Sequence, residues 1–182
     1  SRRKWLTWRA NHEAQDVSQE AWEDGTVASR APGIVYLSVV NSAGDIASAT
    51  STSGPAWKAP GRAGTWPVAG ALQYVDNDVG AAGSSGFGEP GMMDCGGFIT
   101  VENMRQGMRP TDAALETLRR IVAKVPARFL MGSGLPRFSL TFYAVNKRGE
   151  FGAASLYPGR YAAHDGRRGA ERDTAYLYDR AL

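Results

Sequence analysis

The sequence predicts an α+β fold in which antiparallel sheets carry helices on their faces, and three observations support that expectation. Two runs of strand character are each reversed by turn residues, and a helix with a single apolar face lies between them. There is no strand–helix–strand alternation of the kind that builds parallel sheets.

Size and composition set the frame. A chain of 182 residues is long enough for one core that hides roughly 70% of its unfolded surface. Its 22 glycines exceed the usual ~7% share, so many turns or close backbone contacts are expected. Twenty-one basic against eighteen acidic residues give a formal charge of +3. That imbalance is small, and Arg2-Arg3-Lys4 and Arg167-Arg168 stand at opposite ends without forming one stripe, which argues against nucleic acid as a partner. A single cysteine, Cys95, excludes an internal disulfide and a cysteine-rich zinc site. No apolar run approaches the ~18 residues of a membrane helix, so no membrane partner is expected. The chain opens at Ser1 without Met, and an N-terminal portion is expected upstream.

Residues 1–25 are polar with Trp5, Trp8 and Trp22 as anchors, which fits a short helix or an ordered arm, with a flexible tail as the alternative. Ala31-Pro32-Gly33 breaks the chain before the β-branched run Ile34–Val40. Asn41–Asp45 has turn chemistry, and Ile46–Thr50 returns to complete a hairpin. Recurrent Gly and Pro make Ser51–Gly64 a loop. Pro67–Val75 reads as a short helix, Val79–Ser84 as a buried small-residue segment, and Met92–Met108 as helical despite Gly96-Gly97. The strongest helix follows Pro110: Leu115, Leu118, Val122 and Val125 share one face, and Pro126 ends it. Phe138–Val145 alternates with period two, Asn146–Gly149 turns, and Phe151–Leu156 completes a second hairpin. Tyr176–Tyr178 reads as a last edge strand.

Three glycine-bearing, hydroxyl-rich turns stand out: Thr50-Ser51-Thr52-Ser53-Gly54, Gly61-Arg62-Ala63-Gly64 and Ser85-Gly86-Phe87-Gly88-Glu89. Glycines let backbone approach a ligand, hydroxyls and amides supply donors, and a guanidinium clamps a carboxylate with two parallel hydrogen bonds. The set predicts a pocket for an anionic small molecule.

These turns, with Trp57–Gly64, Val75-Asp76-Asn77-Asp78-Val79-Gly80 and the later Tyr143–Ser155, resemble in collinear order the N4-(β-N-acetylglucosaminyl)-L-asparaginases, or glycosylasparaginases, of the N-terminal nucleophile (Ntn) hydrolases. Trp5-Leu6-Thr7-Trp8-Arg9 resembles the end of that family's α-subunit. The resemblance implies a four-layer αββα sandwich, with 1–25 as the end of an α-subunit and linker and 26–182 as the β-subunit. It further implies self-cleavage before a threonine that becomes the nucleophile, with its own α-amine as base. No metal or organic cofactor is implied. The expected partners are a glyco-asparagine or β-aspartyl substrate, an α-subunit portion and a second αβ unit in a homodimer. The family occurs in lysosomes and the bacterial periplasm, and the compartment of this chain stays open.

Carried across by the resemblance, Thr52 falls on the family's second threonine, which tunes the nucleophile. Arg62 falls on the arginine that binds the substrate α-carboxylate, a task suited to a planar fork. Ser85 and Gly86 fall on the Thr-Gly pair whose hydroxyl and backbone N–H form the oxyanion hole. Two positions depart from the pattern. Thr65 stands where an aspartate pairs with the substrate α-ammonium, and losing one partner of such a pair costs on the order of 2–5 kcal/mol. Counting back from Thr52 without gaps places Ile34, which has no nucleophilic atom, at the nucleophile position. Asp24-Gly25-Thr26-Val27 supplies the motif eight residues earlier. Two readings follow. Either Thr26 attacks and the segment to Val35 is an insertion, or the nucleophile is lost and the chain is an inactive homologue or fragment that binds a small carboxylate or a paralogous subunit.

Overall fold

The computed structural model describes residues 34–52, 54 and 60–179. The chain forms two compact units, Ser1–Ile34 with Thr52–Gly64 and Val35–Ser51 with Thr65–Leu182. The α+β expectation holds.

β1 (Ile34–Val40) and β2 (Ile46–Thr52) form the first hairpin. Its turn is fixed by Asn41, whose Oδ1 accepts the backbone N–H groups of Ala43 and Asp45. Side chains alternate along both strands: Tyr36 and Ser38 lie on the inner face, whereas Val35, Leu37 and Val39 are exposed.

The principal sheet has the order β3-β4-β5-β6-β9, with β3 Gln73–Asp76, β4 Gly80–Gly86, β5 Leu140–Asn146, β6 Phe151–Ser155 and β9 Ala175–Tyr176. β3 to β6 pair antiparallel, as the sequence predicts. β9 is the expected edge strand, yet it runs parallel to β6, so the sheet is mixed. The connection between them contains β7 (Arg160–His164) and β8 (Gly169–Asp173), an antiparallel pair that the sequence reading did not foresee.

Two further expectations are corrected. Pro67–Val75 is not a helix: Val68–Gly70 are turn-like, and the chain enters β3 at Gln73. Val68 and Leu72, which a helix would put on one face, differ in burial: Val68 is exposed and Leu72 is fully buried. Met92–Met108 is not one helix but two, α1 (Gly88–Met93) and α2 (Gly96–Arg105), separated by Cys95 in the left-handed region at φ 51°. Gly96-Gly97 is part of α2 because helix and sheet meet there almost backbone to backbone. A Cβ on Gly97 would stand 2.8 Å from the Gln73 nitrogen.

α3 (Pro110–Val122) begins on its proline, whose missing N–H costs nothing at that position. It buries Ala114, Leu118 and Ile121. α2 and α3 cover one face of the sheet, where Val101, Met104 and Ala113 pack with Ala82 and Ala144. The other face receives the β1–β2 hairpin, because a Cβ on Gly83 would lie 2.0 Å from Cε2 of Tyr36. Helices, sheet and hairpin thus form successive layers. Among the described residues no helix is long and apolar enough to cross a membrane.

Candidate active site

The C-terminal end of β4 is built for close approach. Its sequence, Gly80-Ala81-Ala82-Gly83-Ser84-Ser85-Gly86, contains no side chain larger than a hydroxymethyl. Period-two alternation sends Ala82 into the helix-facing core and puts Gly83 and Ser85 on the face shared with the hairpin. Ser85 is half-buried, and its Oγ lies 2.7 Å from the phenolic oxygen of Tyr143 on β5. Gly86 follows at φ 103°, a conformation that excludes other L-residues, and a Cβ there would stand 2.2 Å from the Ser139 carbonyl oxygen. The next residue, Phe87, donates its N–H to that carbonyl at 2.8 Å, and the chain turns into α1.

Thr65 meets the start of α1. It is buried, and its Oγ1 lies 2.8 Å from where a Gly88 Cβ would be, with the Trp66 ring at 2.9 Å. The position that the resemblance assigns to the substrate ammonium therefore holds a neutral hydroxyl packed against backbone.

An aromatic cluster flanks Ser85. Tyr143 stacks on Tyr36 at 6.1 Å between centroids and 18° between planes, and meets Tyr161 at 6.3 Å. Burial pushes the Tyr36 phenol up to about 12, so it stays neutral at physiological pH.

The remaining expected site residues belong to the other unit. Thr52 closes β2, and its Oγ1 accepts the Gly54 N–H at 3.1 Å. Arg62 is half-buried in the glycine turn and is engaged in interactions of its own. Ile34, the ungapped nucleophile position, opens β1. Thr26, with Asp24 and Gly25, lies outside the described residues. Among the expected residues Ser85 and Gly86 adjoin as strand end and turn, with Thr65 beside the α1 start in the same unit. Tyr143 and Tyr36 were not anticipated. The alternation of Phe138–Val145 puts Tyr143 opposite Phe142, but nothing in sequence spacing pairs it with a serine 58 residues away.

Comparison with known proteins places these features in context. Residues 1–133 match the family model described as Asparaginase. The chain is 35% identical over 157 residues to the N(4)-(beta-N-acetylglucosaminyl)-L-asparaginase of Elizabethkingia miricola, covering 81% of this chain and 45% of that protein. It is 36% identical over 118 residues to an Arabidopsis thaliana protein named "Probable isoaspartyl peptidase/L-asparaginase 3", covering 61% of this chain and 33% of that protein. The chain thus spans less than half the length of these curated relatives.

Proposed function

The chain belongs to the asparaginase family, and on that premise we propose that it is an amidohydrolase of the glycosylasparaginase type. Its substrate is the amide between an asparagine side chain and N-acetylglucosamine, or a related β-aspartyl bond. The observation that carries this reading is the end of β4, where a half-buried serine hydroxyl is followed by a glycine that admits no side chain.

In this reading the Gly25–Thr26 bond is cut and 26–182 acts as the β-subunit, with 1–25 as the end of the α-subunit. The freed α-amine of Thr26 takes the proton from its own Oγ, which attacks the substrate amide carbon. The Ser85 hydroxyl and Gly86 N–H donate to the oxyanion of the tetrahedral intermediate. Collapse expels the sugar amine, which takes the proton from the α-amine. Water then hydrolyses the acyl-enzyme and releases aspartate. Thr52 supports the nucleophile, and Arg62 grips the substrate α-carboxylate in a two-point clamp. Thr65 supplies no negative charge for the α-ammonium, so selectivity rests on the carboxylate end. The helix, sheet and hairpin layers suit a four-layer αββα sandwich whose remaining helical layer, the α-subunit contribution and the homodimer all belong to this proposal.

Mass spectrometry and an aspartate-release assay with an aspartyl-glucosamine substrate test it together. The expected result is cleavage between Gly25 and Thr26, with both cleavage and turnover abolished by Thr26→Ala. Ser85→Ala is expected to lower kcat by about 10²–10³, the effect of removing one oxyanion donor. A chain that stays whole and releases no aspartate overturns the proposal.

A further inference from the structure

We infer that Tyr143 is a positioning residue for the Ser85 hydroxyl: its phenol donates to Ser85 Oγ and so leaves the serine proton for an acceptor in the site. The inference rests on the role proposed above for Ser85 and adds to it a second hydroxyl behind the first.

The two oxygens are 2.7 Å apart, a full-strength O–H···O hydrogen bond in which either could be the donor. Chemistry selects the direction. A serine hydroxyl has one proton and two lone pairs, so it can accept from a phenol and still donate its own proton elsewhere. If Ser85 donated to Tyr143 instead, its only proton would be spent inside the protein and no oxyanion could be held. A hydroxyl that accepts one hydrogen bond also donates the next more strongly.

Serine creates the need for such a partner. A threonine has two heavy atoms on Cβ, which restrict χ1 and hold the hydroxyl in place. Ser85 lacks the methyl, so its Oγ needs an external anchor. Tyr143 is rigid enough to supply one. Its ring is stacked on Tyr36 at 6.1 Å and braced by Tyr161 at 6.3 Å. Tyr36 in turn seats over Gly83, where no Cβ intervenes. Gly83 and Tyr143 are direct partners across β4 and β5, so the phenol reaches along the same sheet face to Ser85.

The test is a set of four variants assayed for aspartate release from aspartyl-glucosamine, with folding checked by circular dichroism. Tyr143→Phe keeps the stacked ring and removes only the hydroxyl. It is expected to lower kcat on the order of tenfold, the scale of one lost hydrogen bond, with KM within about twofold. Adding Tyr143→Phe to Ser85→Ala is expected to cost nothing further, because the phenol acts only through the serine. Ser85→Thr in the Tyr143→Phe background is expected to recover most of the loss, because the methyl restores the restriction on χ1. An unchanged kcat in Tyr143→Phe beside a lowered one in Ser85→Ala overturns this inference alone. So does a raised KM without rescue by threonine, or a Tyr143→Phe chain that fails to fold, since either assigns the phenol to packing. Full turnover in Ser85→Ala, or none in the unsubstituted protein, overturns the oxyanion reading beneath it as well.

Discussion

At Gly83 the absent side chain is a structural element, because the Tyr36 ring occupies the space that a Cβ would need. The nearest ring carbon is 2.0 Å from that point. Ring and strand cannot both stay in place once a methyl is added. Gly83→Ala is therefore expected to destabilise the protein by about 1–3 kcal/mol, the usual cost of overpacking a well-filled interior. A urea denaturation midpoint at neutral pH measures it. The same substitution moves Tyr36 against Tyr143, so any turnover should fall more than the loss of folded protein explains. An unshifted midpoint would mean that Tyr36 leaves the sheet at no cost. Neither Gly83 nor its partner could be identified from sequence as the point of closest approach, because glycine in a strand announces only that something comes near.

At the scale of elements, the β3–β4 turn joins three parts of the fold. Asn77 Oδ1 accepts the Ile46 N–H of β2 at 2.8 Å, and Lys147, after β5, donates to the Asn77 carbonyl at 2.6 Å. Asp76 accepts the Asp78 N–H at 2.9 Å and pairs with Arg105 of α2. The Asp78 N–H first, and Arg105 second, hold the Asp76 carboxyl below its usual 3.8. A depressed carboxyl stabilises the folded state above its unfolded value, and the contribution disappears as pH falls through the lowered folded value. Asp76→Asn is thus expected to be modestly less stable than the parent at neutral pH, with the gap closing below about pH 4. Thermal melts across that range follow the difference. A gap of constant size would show that the charge itself does nothing.

The same elements show what the sequence made legible. Both main hairpins and the existence of the Pro110 helix were readable because burial on one face imposes a period on the residues. Of the four residues read as the helix's apolar face, however, only Leu118 is fully buried, beside Ala113, Ala114, Thr117 and Ile121. β8 was missed because its residues are all exposed and carry no such pattern, and β7 because its alternation covers only five residues, two of them the same small alanine. The stretch entering β3 was misread as helical because a four-residue strand is too short for its period to declare itself. Ser85 and Gly86 were picked out by their motif, and they adjoin at the end of β4. Tyr143 was not, since its partner is set by strand register and register is a tertiary property.

For the molecule as a whole, Phe142 ties the layers together. It is fully buried on β5 between β4 and β6, and its ring reaches the first two helices. Cζ lies 2.4 Å from where a Gly96 Cβ would be and 3.5 Å from the corresponding point on Gly91. Those glycines admit the ring and carry no side chain of their own to fill the space if it is removed. Phe142→Ala is expected to cost about 3–5 kcal/mol through lost burial and an unfilled cavity. That is a large fraction of the 5–15 kcal/mol that holds a typical domain folded. Because α1, α2 and the central strands all contact this one side chain, the loss is expected to appear as a single transition shifted to lower urea with an unchanged slope. Far-UV circular dichroism and tryptophan fluorescence, followed in parallel, check this. Coincident curves mean that helices and sheet unfold together. A helical signal lost well before the remainder would mean that the helices detach once Phe142 is gone and that the sheet is stable without them.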